Sequence, residues 1–591
     1  MTDLGIFRQM GRTTVRALVL VCLFVFGATV AQAEPLPTSQ PADPHLKVFA
    51  DNPFPSATQC AQCHQRIFGE WASSNHAYAS ISPMFHKFEQ AINTLSSGTI
   101  GSFCVRCHQQ VGTQMGEPRE QPLWERSAVA REGITCVTCH RVSREWTHVN
   151  GERRIDPGRI YDPVYNTGSG AELPNVVANP QEYDVATNPR ADGTPIHSAA
   201  IRFEQIGKSE FCVSCHQVAV HPGINLEVVW AQYRNSPSAK EGVTCQDCHT
   251  GKVPGVAAGY ETAPIAVVNG KVIGRDDQKH TNHAFYGPGY PIAHPGLFPF
   301  NPRALEWGIQ DWLTFDYRAG WGRPEWEEAL ARGEASATFP AIWNDRAVRE
   351  KARHVIDQNE RALEEKKRLR VAVMENGGAL EGPFFDGSPK AGESFSFSYK
   401  VVNKNPGHNM PSGSLGAQPE IWLNVALIDP DGKTVFESGY VDSIGDMANH
   451  HSLDVAEGKI ERDKQLFNLQ TMFLTTNVKG TDREMYLPVN FDIDQIPHIR
   501  PAGQPTSVLG HPPFIRMEGR SIPPLSDRMA HYTVPADAMS KPGTYRLQAR
   551  LRSRAEPIYF MRFVGATTDM EQAINEWMID MHPIAAEFEV R

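Results

Sequence analysis

Five Cys-x-x-Cys-His motifs constrain this chain more than any other feature. They are Cys60-Ala-Gln-Cys63-His64, Cys104-Val-Arg-Cys107-His108, Cys136-Val-Thr-Cys139-His140, Cys212-Val-Ser-Cys215-His216 and Cys245-Gln-Asp-Cys248-His249. Ten of the eleven cysteines belong to them, and the eleventh, Cys22, lies in an apolar N-terminal stretch. Two thiols three positions apart can form thioethers with the two vinyl groups on one edge of a haem, and the adjacent histidine then reaches the iron from one face. The motifs therefore imply five covalently bound haem c groups, with His64, His108, His140, His216 and His249 as proximal ligands. Redox disulfides would not require a histidine after each motif, and zinc ribbons pair two Cys-x-x-Cys units, usually in intracellular proteins.

The motifs are partly duplicated. Phe103-Cys-Val-Arg-Cys-His-Gln109 recurs as Phe211-Cys-Val-Ser-Cys-His-Gln217, and Gly133-Ile-Thr-Cys-Val-Thr-Cys-His140 recurs as Gly242-Val-Thr-Cys-Gln-Asp-Cys-His249. Two copies of a two-haem unit, preceded by one solitary haem at Cys60, account for this pattern. A line of closely packed haems uses such repetition, whereas a single reactive centre does not need it.

The second axial position separates a relay from a catalyst, because two strong protein ligands leave the iron no open site. Seventeen histidines lie outside the motifs. His76, His221, His283, His294 and His408 are the candidate distal ligands, since each falls in a loop or helix-start context that can aim a ring at an iron. His86, His148 and His197 stand in reserve. Met410 is notable only for lying beside His408.

The first thirty-three residues read as an export signal. Arg8, Arg12 and Arg16 precede an apolar run from Ala17 to Val30, and Ala31-Gln32-Ala33 supplies a small-x-small cleavage site. A formal charge of −10, from 57 basic and 67 acidic residues without a long single-sign run, argues against a nucleic-acid partner.

The expected fold class is multidomain. Residues 34–300 form a mainly α and loop multihaem region, rich in Gly and Pro, whose interior is porphyrin. Residues 301–379 form a helical linker region. It holds five tryptophans, at 307, 312, 321, 326 and 343, and a charged helix from Asp345 to Val371 with Asp345 as cap and its charges on a solvated face. Residues 380–591 form a β-sandwich, with strands at Phe395–Val401, Ile421–Ile428, Tyr545–Leu551 and Ile584–Val590. Within it, Ile496 to Pro524 is a Pro-rich loop and Thr568-Asp-Met-Glu571 is a capping box. His450 and His451 read as loop histidines. If His408 ligates a haem, the β region is clamped to the haem region rather than tethered beside it.

The five motifs, the repeated Gly-Ile/Val-Thr-Cys-x-x-Cys-His segments and Trp71…His76-Ala resemble the multihaem c-type cytochromes around cytochrome c-554 and the hydroxylamine-oxidoreductase-like superfamily. That resemblance covers roughly residues 50–300. Asn405-Pro-Gly-His408-Asn-Met-Pro-Ser-Gly followed by strands resembles multihaem cytochromes with an immunoglobulin-like C-terminal domain. The resemblance implies bis-His haems in stacked pairs and electron transfer with redox proteins as donor and acceptor. It also implies location in the periplasm or, as second choice, at the cell surface. No motif replaces its last His with Lys, the mark of many ammonia-forming nitrite reductases. Two other functions fit the motifs: an oxidoreductase with one open haem acting on a small nitrogen or sulfur compound, and a structural haem subunit of a filament or membrane-associated complex.

Overall fold

The computed structural model describes residues 53–591 apart from 96–97, 99, 152, 169, 222–223, 276, 414–418, 450, 471, 477–484, 488–513 and 519. The export signal, His450 and most of the Pro-rich stretch from Ile496 lie outside the described residues. Pro53–Arg591 forms one compact unit. Among the described residues, no helix is long and apolar enough to cross a membrane.

Up to about residue 300 the elements are short. The longest helix there is Pro83–Leu95, with 13 residues, and the strands pair only in twos. Small apolar clusters replace a single core. One gathers Trp71, Ala77, Tyr78, Tyr290, Phe298 and Leu363, and another Phe54, Val111, Val129, Val137 and Ile155.

The tryptophans pack together. Trp307, Trp312, Trp321 and Trp343 form a cluster with Phe315, Ala352, Val355 and Ile356, and Trp326 lies against it. Trp343 is fully buried, and its indole Nε1 donates to Thr314 Oγ1 at 2.9 Å, so burial leaves no polar group unpaired.

The helix that carries the last three of those residues runs from Arg346 to Gly377, six residues past the expected end, and Asp345 caps it by accepting from Ala347 N. Its charges are not only a solvated face. Arg349, Arg353, Lys366 and Arg370 are buried. Arg349 meets Glu327, Arg353 meets Asp357 and Glu360, and Arg370 donates to the carbonyls of Pro288 and Trp577. A charged sequence packs here on both flanks because its guanidinium groups find carboxylates and carbonyls.

Among the described residues ten strands follow: β1 Gly378–Phe385, β2 Phe395–Asn403, β3 Glu420–Ile428, β4 Thr434–Ser438, β5 Met472–Thr476, β6 Met485–Leu487, β7 Phe514–Glu518, β8 Asp527–Val534, β9 Gly543–Arg554 and β10 Ile579–Val590. They form antiparallel sheets in the orders β1-β2-β8, β4-β3-β9-β10 and β6-β5-β7. The first two share one core, where Phe397, Tyr399 and Val401 of β2 meet Leu423, Val425 and Leu427 of β3 and Leu547 and Leu551 of β9. Two sequence expectations are corrected. β10 begins at Ile579 rather than Ile584, with His582 at φ 49° beside an irregularity opposite Ala549–Leu551. The helix Thr568–Glu576 is capped by Thr567, not Thr568, because the Thr567 side chain accepts from Met570 N.

Candidate functional site

Each motif is wound into one helical turn. The N–H of His64 meets the carbonyl of Cys60 at 2.9 Å, His108 meets Cys104 at 3.3 Å and His216 meets Cys212 at 3.0 Å. Cys136–His140 and Cys245–His249 are short helices, the second opened by a capping box between Thr244 and Asp247. In a helical turn residues three and four apart share a face, so the first thiol lies on the same side as both the second thiol and the histidine.

The ten described cysteines form no disulfide with one another. Cys60 lies beside Cys136, Cys107 beside Cys215, and Cys212 beside Cys245. Motif 1 therefore touches motif 3, and motif 4 touches both motif 2 and motif 5. Arg153 fastens the centre, donating to the carbonyls of Phe211 at 3.0 Å and Thr138 at 2.9 Å.

Among the described residues, four motif histidines face a second imidazole. Ring centroids are 6.4 Å apart for His64 and His197, 6.2 Å for His76 and His216, 6.4 Å for His140 and His283, and 6.1 Å for His249 and His408. An imidazole nitrogen sits about 2 Å from a first-row metal ion, so two rings ligating one iron from opposite faces have centroids about 6 Å apart. The four gaps fit a haem iron.

Hydrogen bonding selects the nitrogen that faces the gap. Nδ1 donates to a backbone carbonyl in His64 (Ile265, 3.0 Å), His108 (Ala79, 3.2 Å), His140 (Tyr165, 2.8 Å), His249 (Tyr286, 2.6 Å) and His283 (Thr281, 2.7 Å). A proton fixed on Nδ1 leaves Nε2 bare and basic. Burial, ahead of neighbouring imidazoles, pushes His76 down to about 3 and His216, His283 and His408 down to about 4, so the rings stay neutral.

The remaining histidines differ. His294 does not join the set: its Nε2 bonds the Phe315 carbonyl at 2.9 Å, its Nδ1 accepts from Gly296 N, and the ring packs on Trp312 and Tyr317. His197, only a reserve in sequence, faces His64 instead. His221 ends the strand Val218–His221, and its side chain lies outside the described residues. His86 bonds the Ser80 carbonyl, and His148 sits edge-on to Trp146. His451 stacks on Tyr559 at 4.0 Å. The ring set against His108 is Phe85, stacked at 4.1 Å.

The repeated glycine before motif 3 has a structural reason. Gly133 sits at φ 69°, and a Cβ there would meet the His76 carbonyl oxygen at 2.4 Å. Ile134 N donates to that same oxygen at 2.9 Å, while Trp71 Nε1 donates to the Ile134 carbonyl at 2.8 Å. The Trp71…His76 segment and the Gly-Ile-Thr-Cys segment thus lock together.

Residues 59–141 match the family model described as cytochrome c554 and c-prime. This stretch is similar to c-type cytochromes. It spans the first three motifs, and c-type cytochromes bind haem c covalently and transfer electrons. No curated protein matches the chain. A solved structure, Pseudomonas fluorescens alkylpurine DNA glycosylase AlkC bound to DNA containing an abasic site analog, is similar over 48% of this chain at 11% identity, with a TM-score of 0.13. The chain covers 44% of that structure, and so loose a superposition carries no argument about fold.

Proposed function

We propose that this protein is an exported pentahaem cytochrome c that relays single electrons between redox proteins in the periplasm, with a membrane-associated complex among its partners. The four facing imidazole pairs carry this reading, each pair built on a different motif. Cys60, Cys63, Cys104, Cys107, Cys136, Cys139, Cys212, Cys215, Cys245 and Cys248 would hold the haems, which supply one-electron iron(III)/iron(II) chemistry. His64 with His197, His216 with His76, His140 with His283, and His249 with His408 would ligate four irons. With imidazole on both faces, no position is left for a substrate. The closeness of cysteines from different motifs supports one connected path rather than isolated haems. The shared core of the two larger sheets supports the β-sandwich, which contributes His408 and is thereby clamped to the haem region.

Mass spectrometry and quantified electron paramagnetic resonance of the oxidised protein test this reading. Five haems with at least four low-spin irons sustain it. A lower haem count, or fewer than four low-spin irons, overturns it.

One observation favours a second reading, an oxidoreductase with an open haem: among the described residues no imidazole pairs with His108, whose ring stacks on Phe85. A single high-spin iron that binds nitrite, hydroxylamine or sulfite would place that activity at motif 2.

A further inference from the structure

One loop, residues 280–286, meets motif 3, motif 5 and the imidazole that faces motif 4. His283 presents its ring to His140. Tyr286 exchanges two hydrogen bonds with His249, accepting from its Nδ1 at 2.6 Å and donating N–H to its carbonyl at 3.0 Å. Between them Phe285 packs on His76, with ring centroids 4.2 Å apart, and on His283 at 5.6 Å. One phenyl ring therefore touches an imidazole from the motif 3 pair and an imidazole from the motif 4 pair.

The loop is anchored from several directions. Glu70 Oε2 accepts from His283 N at 2.9 Å, while its Oε1 accepts from His280 Nε2 at 2.7 Å and Arg66 Nε at 3.1 Å. Asn282 N donates to the Thr250 carbonyl at 2.9 Å, and the Tyr286 hydroxyl donates to the Gly251 carbonyl at 3.0 Å. Under this restraint Phe285 adopts φ 47°, the left-handed region that a bulky side chain occupies only where its surroundings over-determine it.

The twist of the imidazole pairs follows Phe285. The two pairs it does not touch are close to parallel, at 8° for His64 with His197 and 15° for His249 with His408. The two it touches are turned, at 28° for His140 with His283 and 46° for His216 with His76.

We propose that Phe285 is a positioning residue that turns the axial imidazoles of motifs 3 and 4 out of the near-parallel arrangement of the other two pairs. The proposal rests on the reading that these pairs ligate haem iron. Parallel imidazoles act on the same iron d orbital and crossed ones on different orbitals. The twist therefore sets the anisotropy of the low-spin iron(III) signal and contributes to the reduction potential. By this device the chain grades two central sites against two outer ones with identical ligands.

The test is the paramagnetic resonance spectrum of the haem-loaded full chain, before and after Phe285→Leu, with Phe285→Tyr as the conservative variant. His76→Met and His283→Met assign the two signals by removing them one at a time. In Phe285→Leu both assigned signals shift toward the g values of the near-parallel pairs, the other low-spin signals stay in place, and the haem count by mass is unchanged. Phe285→Tyr retains the parental spectrum. A Phe285→Leu spectrum that superimposes on the parent overturns the proposal and leaves the ligand pairs intact. The same holds if Phe285→Tyr shifts as far as Phe285→Leu. A parent without bis-imidazole low-spin signals overturns the functional reading and this proposal together. Should Phe285→Leu not accumulate with its haems, Phe285→Met is read by the same criteria.

Discussion

His408 and His249 face each other with ring centroids 6.1 Å apart and planes within 15°, although one lies in the loop after β2 and the other ends the last Cys-x-x-Cys-His helix. The loop is fastened on both sides of His408. Ser238 N donates to the Pro406 carbonyl at 3.2 Å, and Gln232 Oε1 accepts from Asn409 N at 3.2 Å and Ser412 Oγ at 2.6 Å. Substituting His408→Ala should convert one haem in five from low spin to high spin while mass spectrometry still counts every haem, because attachment depends on Cys245 and Cys248. A low-spin count equal to the parent's would exclude His408 as a ligand.

Replacing Cys104 and Cys107 together by Ala should remove one haem from the intact mass and leave the others. Cys215, which lies beside Cys107, belongs to motif 4 and should keep its own haem. A full haem count in the double variant would refute the attachment assignment.

The two repeated glycines separate backbone strain from close contact. Gly133 and Gly242 sit at φ 69° and 75°, yet a Cβ at Gly242 meets nothing within 4 Å whereas one at Gly133 runs into the His76 carbonyl. Gly242→Ala should cost about 1 kcal/mol from left-handed strain alone. Gly133→Ala should cost about 3 kcal/mol, since the His76 backbone must also move. It should also disturb the low-spin signal of the His76 and His216 pair. Thermal unfolding of both variants checks the difference.

Glu327 and Arg349 form a buried ion pair beneath the tryptophan cluster. Burial alone would raise the Glu327 carboxyl, but hydrogen bonds from Arg349 and Gly322 N outweigh it and hold the carboxyl below its ordinary 4.5. A lowered carboxyl contributes stability that is full above pH 4.5 and lost as the pH falls through the folded-state value. Glu327→Gln should therefore lower stability by about 3–5 kcal/mol at neutral pH, leaving Arg349 buried without its partner. The deficit relative to the parent should shrink below pH 4.5. Denaturant unfolding at neutral and acid pH measures both, and a pH-independent difference would count against the linkage.

Much of the architecture could be read from local patterns. Asp345 announced the start of the long helix, and the alternation in Phe395–Val401 and Tyr545–Leu551 announced β2 and β9. The Thr567 cap was missed because two threonines adjoin and either can accept a backbone N–H. The buried face of the long helix was missed because a charged residue looks solvated until its partner is known. Arg370 donates to the carbonyls of Pro288 and Trp577, far away in the chain. His294 looked as available as His283, and only its bonds to Phe315 and Gly296 distinguish it.

Sequence alone pointed to the chemistry of attachment, because two thiols and a histidine within five residues need only one helical turn to meet one edge of a haem. Tertiary structure decided which imidazole stands opposite. The facing partners lie more than a hundred residues apart, and their approach depends on contacts that no local pattern encodes: Gly133 against His76, Glu70 on the His283 backbone, Gln232 on the His408 loop. A ring reaches an iron only when the backbone beneath it is held, and each of these backbones is held by a residue from elsewhere in the chain.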